Sequence, residues 1–539
     1  MTGHDASVTP AMPWLAEGPD TPFIFIRHKD GQVNVTGQTQ GLVGHRLDIP
    51  GDETPRGQFG EWSWDGQSLT AAVDPLGFFS LYVYANGDQV GISPSLTQLL
   101  ANGADAEVNE TALAVFHRIG FFVQNDTPFK HIRTLPPDGR LHWQNGILSI
   151  GGGVPDSPKE SALSREQFVD GFIDVFRTSM QRLLQCWPAP IDLPLTGGRD
   201  SRHILLEMLR LGRTPATGVT FHHGGDVYNA ETQAARAISE RAGIQHALLG
   251  HPRRRVRDSV RAMLMTQLCA DEHSQMMVLH DWVTGRGNAC IDGIAGDVLS
   301  SPNSRAGQMV PLARAGKYAE IAQLLTNGHA AVISRQTHSG GAGSVYSDTL
   351  HDAAIERIAE TLRTHEDTPN PFQAFWFWNR TRREISYTST AVMGNAPAVL
   401  CPYLEPEFVE LGLSLPFDMD NGTEIHDAAI QRAYPEFADI PYIESYSNSQ
   451  PTPSMMQRAG NALDALSVTT LTKSESCLRS IKNMLKNNGL SRPHADIYQL
   501  HADLVSGMNA GRAERLLQVD KQLSTSAPKG EQVVTDVYA

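Results

Sequence analysis

The stretch LPLTGGRDSR, residues 193–202, sets Leu195, Thr196, Gly197, Gly198, Arg199, Asp200 and Ser201 between an apolar run and the helix-forming sequence His203-Ile204-Leu205-Leu206-Glu207-Met208-Leu209. A strand that turns through glycines into a helix aims backbone N–H groups and the positive end of the helix dipole at one point, which favours an anion. A turn requires one glycine at most, so the second suits a ligand lying close to the backbone. Thr196 and Ser201 add hydroxyl donors. Asp200 is discordant, because a carboxylate repels an anion unless a divalent cation lies between them. The loop therefore points to Mg²⁺ with a polyphosphate, the chemistry of ATP. The plainer alternative is a glycine turn in which Asp200 or Ser201 caps the helix.

The surrounding sequence must supply the strand, the helix and the sheet that hold this loop. Residues 1–155 carry short aromatic or β-branched runs (PFIFIRH, FGEWSWDG, SLYVYANGDQVGIS, RLHWQNGILSI) broken by Asn-Gly and Asp-Gly turn signals, and predict a mainly antiparallel β domain. A glycine-rich polar piece, residues 151–164, reads as a linker. From Arg165 the period becomes helical, with Phe168, Phe172, Val175 and Phe176 on one stripe. Strand and helix patterns then alternate (IDLPL, ATGVTF, HALL, ACIDGI, each with a helical run), which predicts an α/β domain over 165–450 with a parallel sheet and ligands at the carboxyl ends of its strands. Residues 451–539 read as a helical extension with a loose end from Ser524 onward.

Composition excludes several classes. The chain has 539 residues and a formal net charge of -15 without long runs of like charge, so it carries no electrostatic footprint for nucleic acid or an anionic membrane surface. The one basic cluster, Arg253-Arg254-Arg255 with Arg257, reads as a solvated helix face or a contact to an anionic ligand. Five cysteines without CxxC spacing argue against a disulfide framework or a zinc site. No apolar run approaches the roughly 20 residues that span a bilayer, and MTGHDASVTPAMPW lacks the features of a signal peptide, so a cytoplasmic location is expected.

The loop LTGGRDSR resembles the SGGxDS pyrophosphate loop of the ATP-pyrophosphatases, in particular the synthetase domain of asparagine synthetases and their relatives, among them β-lactam synthetases and lasso-peptide macrolactam cyclases. Four further segments are similar in the same order. ATGVTF followed by Tyr228-Asn229-Ala230-Glu231 resembles the second strand and its signature. IDGIAGDVLSS resembles the SGxGxDE segment, and NRTRREI with PAVLCPYLEPEFVELGLSLP the R-x-P-F-L-D stretch. GEWSWDGQSLTAAVDPLGFFSLYVY resembles the closing half of the N-terminal glutaminase domain. The resemblance implies a Rossmann-like ATP-pyrophosphatase domain behind a glutaminase-like one, with adenine on the Val219, Thr220 and Phe221 backbone. It also implies that Gly293 and Gly296 carry Asp297 to a place opposite Asp200, the two acids sharing Mg²⁺.

Three positions depart from that pattern. Thr2 stands where the glutaminase nucleophile is a cysteine, and only about 55 residues precede the matched half, so the N-terminal domain is expected to be a degenerate remnant without glutaminase activity. Ile294 stands where relatives have a Glu or Tyr that helps deprotonate the amine. Residues 440–454, where relatives carry a transition-state lysine, contain no Lys or Arg. Replacement groups are expected from Arg382, Arg383, Glu384 and Tyr387, with Arg383 and Tyr387 four apart on one helical face, and Glu272 or His273 as base. The expected protein is an ATP- and Mg²⁺-dependent ligase that adenylates a small-molecule or peptide carboxylate and forms an amide without glutamine. A different second step after adenylation, or a nucleotide-binding pseudo-enzyme, is the rival, and a homodimer or a biosynthetic partner protein is left open. Two further motifs, His222-His223 and the aromatics Trp62, Trp64 and Phe375-Trp376-Phe377-Trp378, read as turn and core.

Overall fold

The aromatic and β-branched runs of the first 150 residues pair into two antiparallel sheets. The computed structural model describes residues 7–9, 21–29, 32–49, 52, 54–221, 229–250, 255–300, 309–326, 348–419, 424–446, 455–456, 459–460, 463, 467, 493–525 and 532–537. Its strands begin with β1 (Ser7–Thr9), β2 (Ile24–Lys29), β3 (Gln32–Gly37), β4 (Gln40–Asp48), β5 (Arg56–Trp64), β6 (Ser68–Val73), β7 (Tyr82–Asn86), β8 (Gln89–Ser93), β9 (Ile132–Thr134), β10 (Arg140–Gln144) and β11 (Ile147–Gly151). One sheet runs β1-β4-β5-β6-β10-β11, the other β3-β2-β8-β7-β9. Asn145 and Gly146, at φ 51° and 80°, join β10 to β11 with the both-positive geometry that two-residue hairpins favour. Between the sheets lie Val43, Trp62, Leu69, Val73, Phe79, Leu141 and Trp143, so Trp62 is core, its indole N–H on the Gln38 carbonyl at 2.9 Å.

The second apolar face of this sandwich does not end in solvent. Phe25, Tyr82 and Tyr84, with helices α1 (Leu96–Ala101) and α2 (Glu110–Ile119), belong to the same buried cluster as Phe168, Phe172 and Phe176 of helix α3 (Arg165–Cys186). Ser164 and Gln167 close a capping box at the start of α3, which fixes where the helix leaves the linker. Residues 152–164 form no helix or strand.

The third sheet is parallel over five strands. β12 (Ile191–Pro194), β13 (Thr217–Phe221), β14 (Gln245–Leu249), β15 (Ala289–Ile291) and β16 (Val399–Leu400) stand in the order β16-β15-β12-β13-β14. Helices α4 (Arg199–Arg210) and α5 (Ala230–Ala242) follow β12 and β13. Two sequence expectations are corrected here. The chain end is not all loose, because β17 (Gln532–Val537) adds antiparallel to β14. Arg257 is not on a solvated face: it is buried and donates to the Leu523 carbonyl, while Arg253 and Arg254 lie outside the described residues. The stretch 376–385 is also not an ordinary α-helix but a π-helix, a wider coil that is rare and frequently found at functional sites. Phe375, just before this stretch, and Phe377 and Trp378 within it are core. No helix among the described residues is long and apolar enough to cross a membrane, and Cys186, Cys269, Cys290 and Cys401 are free and buried.

Candidate functional site

The loop 195–201 leaves the carboxyl end of β12 and enters α4 with Gly198 as N-cap and no side-chain cap. The helix dipole and its first N–H groups are therefore left without a side-chain acceptor, and Ser201 does not cap the helix. Its hydroxyl instead accepts the Thr196 N–H at 3.0 Å and pairs with the Thr196 hydroxyl at 3.0 Å, while Gly198 N–H donates to Thr196 Oγ1 at 3.2 Å. Neither glycine takes a positive φ, so the turn itself requires neither. Gly197 is needed for packing: a Cβ there would lie 3.0 Å from both Ala234 and Ile443 Cβ atoms. Gly198 is different, because a Cβ would meet only Thr196 Oγ1, at 3.3 Å. The open approach to the backbone thus falls at Gly198 alone.

Leu195 serves the sheet rather than a ligand, since its N–H goes to the Val219 carbonyl at 2.8 Å and its carbonyl takes the Thr220 hydroxyl at 2.6 Å. Thr220 also meets His246 Nε2 at 2.8 Å, and Val219 is buried. Of the three residues expected against a base, Phe221 is the half-buried one, at the carboxyl end of β13. Asn229 caps α5 by accepting the Thr232 N–H at 3.0 Å; Tyr228, His222 and His223 lie outside the described residues.

Three carboxylates crowd against this loop. Asp200 keeps 28% of its side-chain surface, and its pKa is pushed well above the usual range by burial and then by the charge of Asp297, whose backbone N–H bond works the other way. Gly293 and Gly296 are glycines because Asp200 lies on them: added Cβ atoms would fall 2.9 Å from its Cβ and 2.6 Å from its Cγ. Ala295 between them takes φ 72°, a left-handed conformation that side chains rarely adopt and that shapes the turn into Gly296 and Asp297. Asp297 is exposed and one oxygen accepts the Val298 N–H at 2.8 Å. The third acid, Asp292, follows β15; burial pushes its pKa up to about 7, its Oδ2 has no hydrogen-bond partner, and its charge adds to the strain on Asp200. His426 Nδ1 lies 3.4 Å from Asp200, but burial lowers its pKa to about 3, so it brings no cation.

The expected cation is elsewhere. Arg383 is buried away from the acids, donating to the Asp126 carbonyl at 2.6 Å and towards Ser80 at 3.4 Å, and Tyr387 stands with it, its hydroxyl 2.5 Å from that of Tyr82. They do share a face, but it is the face towards the antiparallel sheets. Arg382 likewise donates to the carbonyls of Trp378 and Gln124. The arginine that senses Asp297 is Arg380: burial, which alone would weaken its charge, is outweighed by Glu384, Glu272 and Asp297. Its guanidinium lies 2.7 Å from Glu272 and 3.3 Å from Glu384. Glu272, Asp271 and Glu384 form one cluster, and Glu384 is pushed well up by burial and then by Glu272 and Asp271. With two other acids beside it in a buried place, Glu384 favours its protonated form. Burial lowers His273 beside them to about 4, so it is neutral.

The stretch without Lys or Arg is supplied with cations by α4. Ile443 N–H donates to the Gly197 carbonyl at 3.1 Å, Arg202 donates to the carbonyls of Ile440 and Pro441, and Arg199 holds Asp427 at 2.6 Å and Glu444 at 2.8 Å. Both guanidiniums stack on Tyr442, at 4.5 and 3.9 Å from its ring centre. The Arg199 side chain is thus committed to this segment, and what remains for an anion is its backbone N–H. Asp292 could have been found as a carboxylate directly after a buried strand at the loop's end of the sheet, and Arg380 with Glu384 as an i,i+4 pair. Nothing in the sequence marked Asp271. In comparisons with known proteins, no family model and no curated sequence matches this chain.

Proposed function

We propose that this protein is an ATP- and Mg²⁺-dependent ligase of the asparagine-synthetase-like type, adenylating a substrate carboxylate, releasing pyrophosphate and passing the acyl group to an amine without glutamine. The observation that carries this reading is the uncapped start of α4 behind the open Gly198, with Asp200 pressed against Asp297 beside it. Asp200, Asp297 and Asp292 are hard oxygen donors, and the partnerless Asp292 Oδ2 fits a magnesium ion's demand for oxygen ligands. Mg²⁺ held there would neutralise phosphate charge. The first N–H groups of α4, behind the open Gly198, bind the phosphates, with the one hydroxyl hydrogen of Thr196 and Ser201 that their mutual bond leaves over, and Arg380 balances negative charge on the side of Asp297. Glu384, once it has lost its own proton, takes the proton of the attacking amine, the part first assigned to Glu272, which here mainly holds Arg380.

The test is pyrophosphate and AMP release from ATP with pools of candidate carboxylates and no glutamine. Release that is abolished in Asp200→Ala supports the reading. With Glu384→Gln, adenylation persists while amide formation falls by about 10²–10⁴, the usual worth of a general base. ATP binding without turnover on any pool would instead favour a nucleotide-binding pseudo-enzyme.

A further inference from the structure

Between β5 and the segment 399–406 lies a cavity of about 370 Å³, at the small end of the range of small-molecule sites, roughly 300–1,000 Å³. It is separate from the acid cluster: Cys401 on its wall follows Leu400, whose carbonyl takes the Asp292 N–H at 2.8 Å, so the two places lie one strand apart. Its body is apolar, built from Leu47, Leu76, Phe78, Leu183, Val399 and Leu404. Its ionisable wall is Asp52, Asp74, Glu405 and one cation, Arg56.

The two nitrogen-bearing side chains of that wall are already spent. Arg56 donates to Asp52 at 2.5 Å, to Glu405 at 2.8 Å and to Glu407 at 3.0 and 3.1 Å. Gln58 gives its N–H to Cys401 Sγ at 3.1 Å and accepts the Ser389 hydroxyl at 2.8 Å. Asp74 sits in a buried turn, holding the N–H groups of Leu76, Phe78 and Phe79, and burial pushes its pKa up to about 6. Behind the wall Arg182 also holds Glu405, at 3.1 Å, and Glu407, at 3.2 Å. Two engaged guanidiniums thus face the carboxyls of Asp52, Asp74, Glu405 and Glu407, of which Asp52 and Glu405 line the cavity with lone pairs to spare. An anionic guest would meet these acids without a free cation, and a neutral one would leave the excess charge uncompensated.

We propose that this cavity binds a small primary aliphatic amine as its ammonium ion, the alkyl body against the leucines and the three N–H donors on the carboxylates. The site stands apart from the ligase reading, and it takes its guest whether or not the guest is a substrate. The probe is n-hexylammonium, with n-hexanol and hexanoate as its neutral and anionic counterparts, titrated calorimetrically into the full-length protein without nucleotide. Hexylammonium is expected to bind at least tenfold more tightly than hexanol, with hexanoate not binding, and to raise the wild-type Tm. Leu404→Trp, which fills the cavity, abolishes the binding. Equal affinity for hexanol, no amine binding by the wild type up to ~10 mM, or undiminished binding by a folded Leu404→Trp variant would each overturn the proposal. Should Leu404→Trp not fold, the wild-type ranking of the three probes decides.

Discussion

Two regions of this molecule bury charge, and they do it in opposite ways. Where the π-helix meets the antiparallel sheets, Arg382 and Arg383 lie almost wholly inside the protein, yet they donate to the carbonyls of Trp378, Gln124 and Asp126. At the carboxyl end of the parallel sheet, the half-buried carboxyl of Asp200 feels the charges of the exposed Asp297 and of Asp292, one oxygen of which has no hydrogen-bond partner. The arginine bonds tie the π-helix to the 124–126 segment, which makes the two guanidiniums architecture, although Arg382 Nη1 and Arg383 Nε have no partner and burial pulls the Arg382 pKa down. Gathered acids are costly unless a cation joins them, and proteins keep such arrangements mainly at functional sites. The contrast separates residues that hold the site from residues that act in it, and it moves Arg383 and Tyr387 from the second group to the first.

The sharpest break of that contrast is Asp200→Ala. Pyrophosphate release should fall by about 10³ or more, on the order of 4 kcal/mol in the barrier, while denaturant unfolding shows no loss of stability, because one of the crowded acids is gone. Arg383→Met should do the reverse: unfolding free energy falls by about 3 kcal/mol, as when one partner of a buried polar contact is removed, and turnover per folded molecule stays within a few-fold. A smaller effect follows from packing alone. Gly197→Ala forces its new Cβ against Ala234 and Ile443 and should cost about 1–3 kcal/mol, loosening the 440–446 segment from the loop.

The mildest effect comes with pH. Burial lowers His45, His273, His365 and His501 to about 4, from a model-peptide value of 6.5. Between those values the unfolded chain binds protons that the folded one refuses, so their contribution is whole above pH 6.5 and is lost progressively towards pH 4. The raised acids Asp200 and Asp292 work the other way, since the folded chain keeps protons there that the unfolded one releases. The ring effect is therefore read as a difference: between pH 7.5 and 5 the urea midpoint should fall more in the wild type than in His365→Gln, and two parallel profiles would mean that this ring is reached by water.

Much of the scaffold was legible because it rests on local patterns. Asn145-Gly146 announces a hairpin, the 3.6-residue stripe of Phe168, Phe172 and Phe176 a buried helix face, and the alternation of apolar strands with helical runs a parallel sheet. The site was legible as far as it is made by consecutive residues: 196–201 and 293–297 each carry their own turn. What escaped depends on long-range placement. Counting four residues per turn puts Arg383 and Tyr387 together, and they are together, but no periodicity tells which way that face points. The π-helical widening of 376–385 turns Arg380 and Glu384 towards Glu272 instead. Likewise, a search for a lysine within 440–454 could not see that Arg199 and Arg202, more than two hundred residues earlier, stack on Tyr442.

The central claim is that the crowded acids beside Gly198 hold magnesium for a nucleotide. Titrating ATP into the full-length protein with and without Mg²⁺ tests it most directly. Binding at least tenfold tighter with Mg²⁺, with that difference erased in Asp200→Ala, is the predicted result. Affinity that is indifferent to Mg²⁺, or a magnesium effect that survives the loss of Asp200, would contradict it.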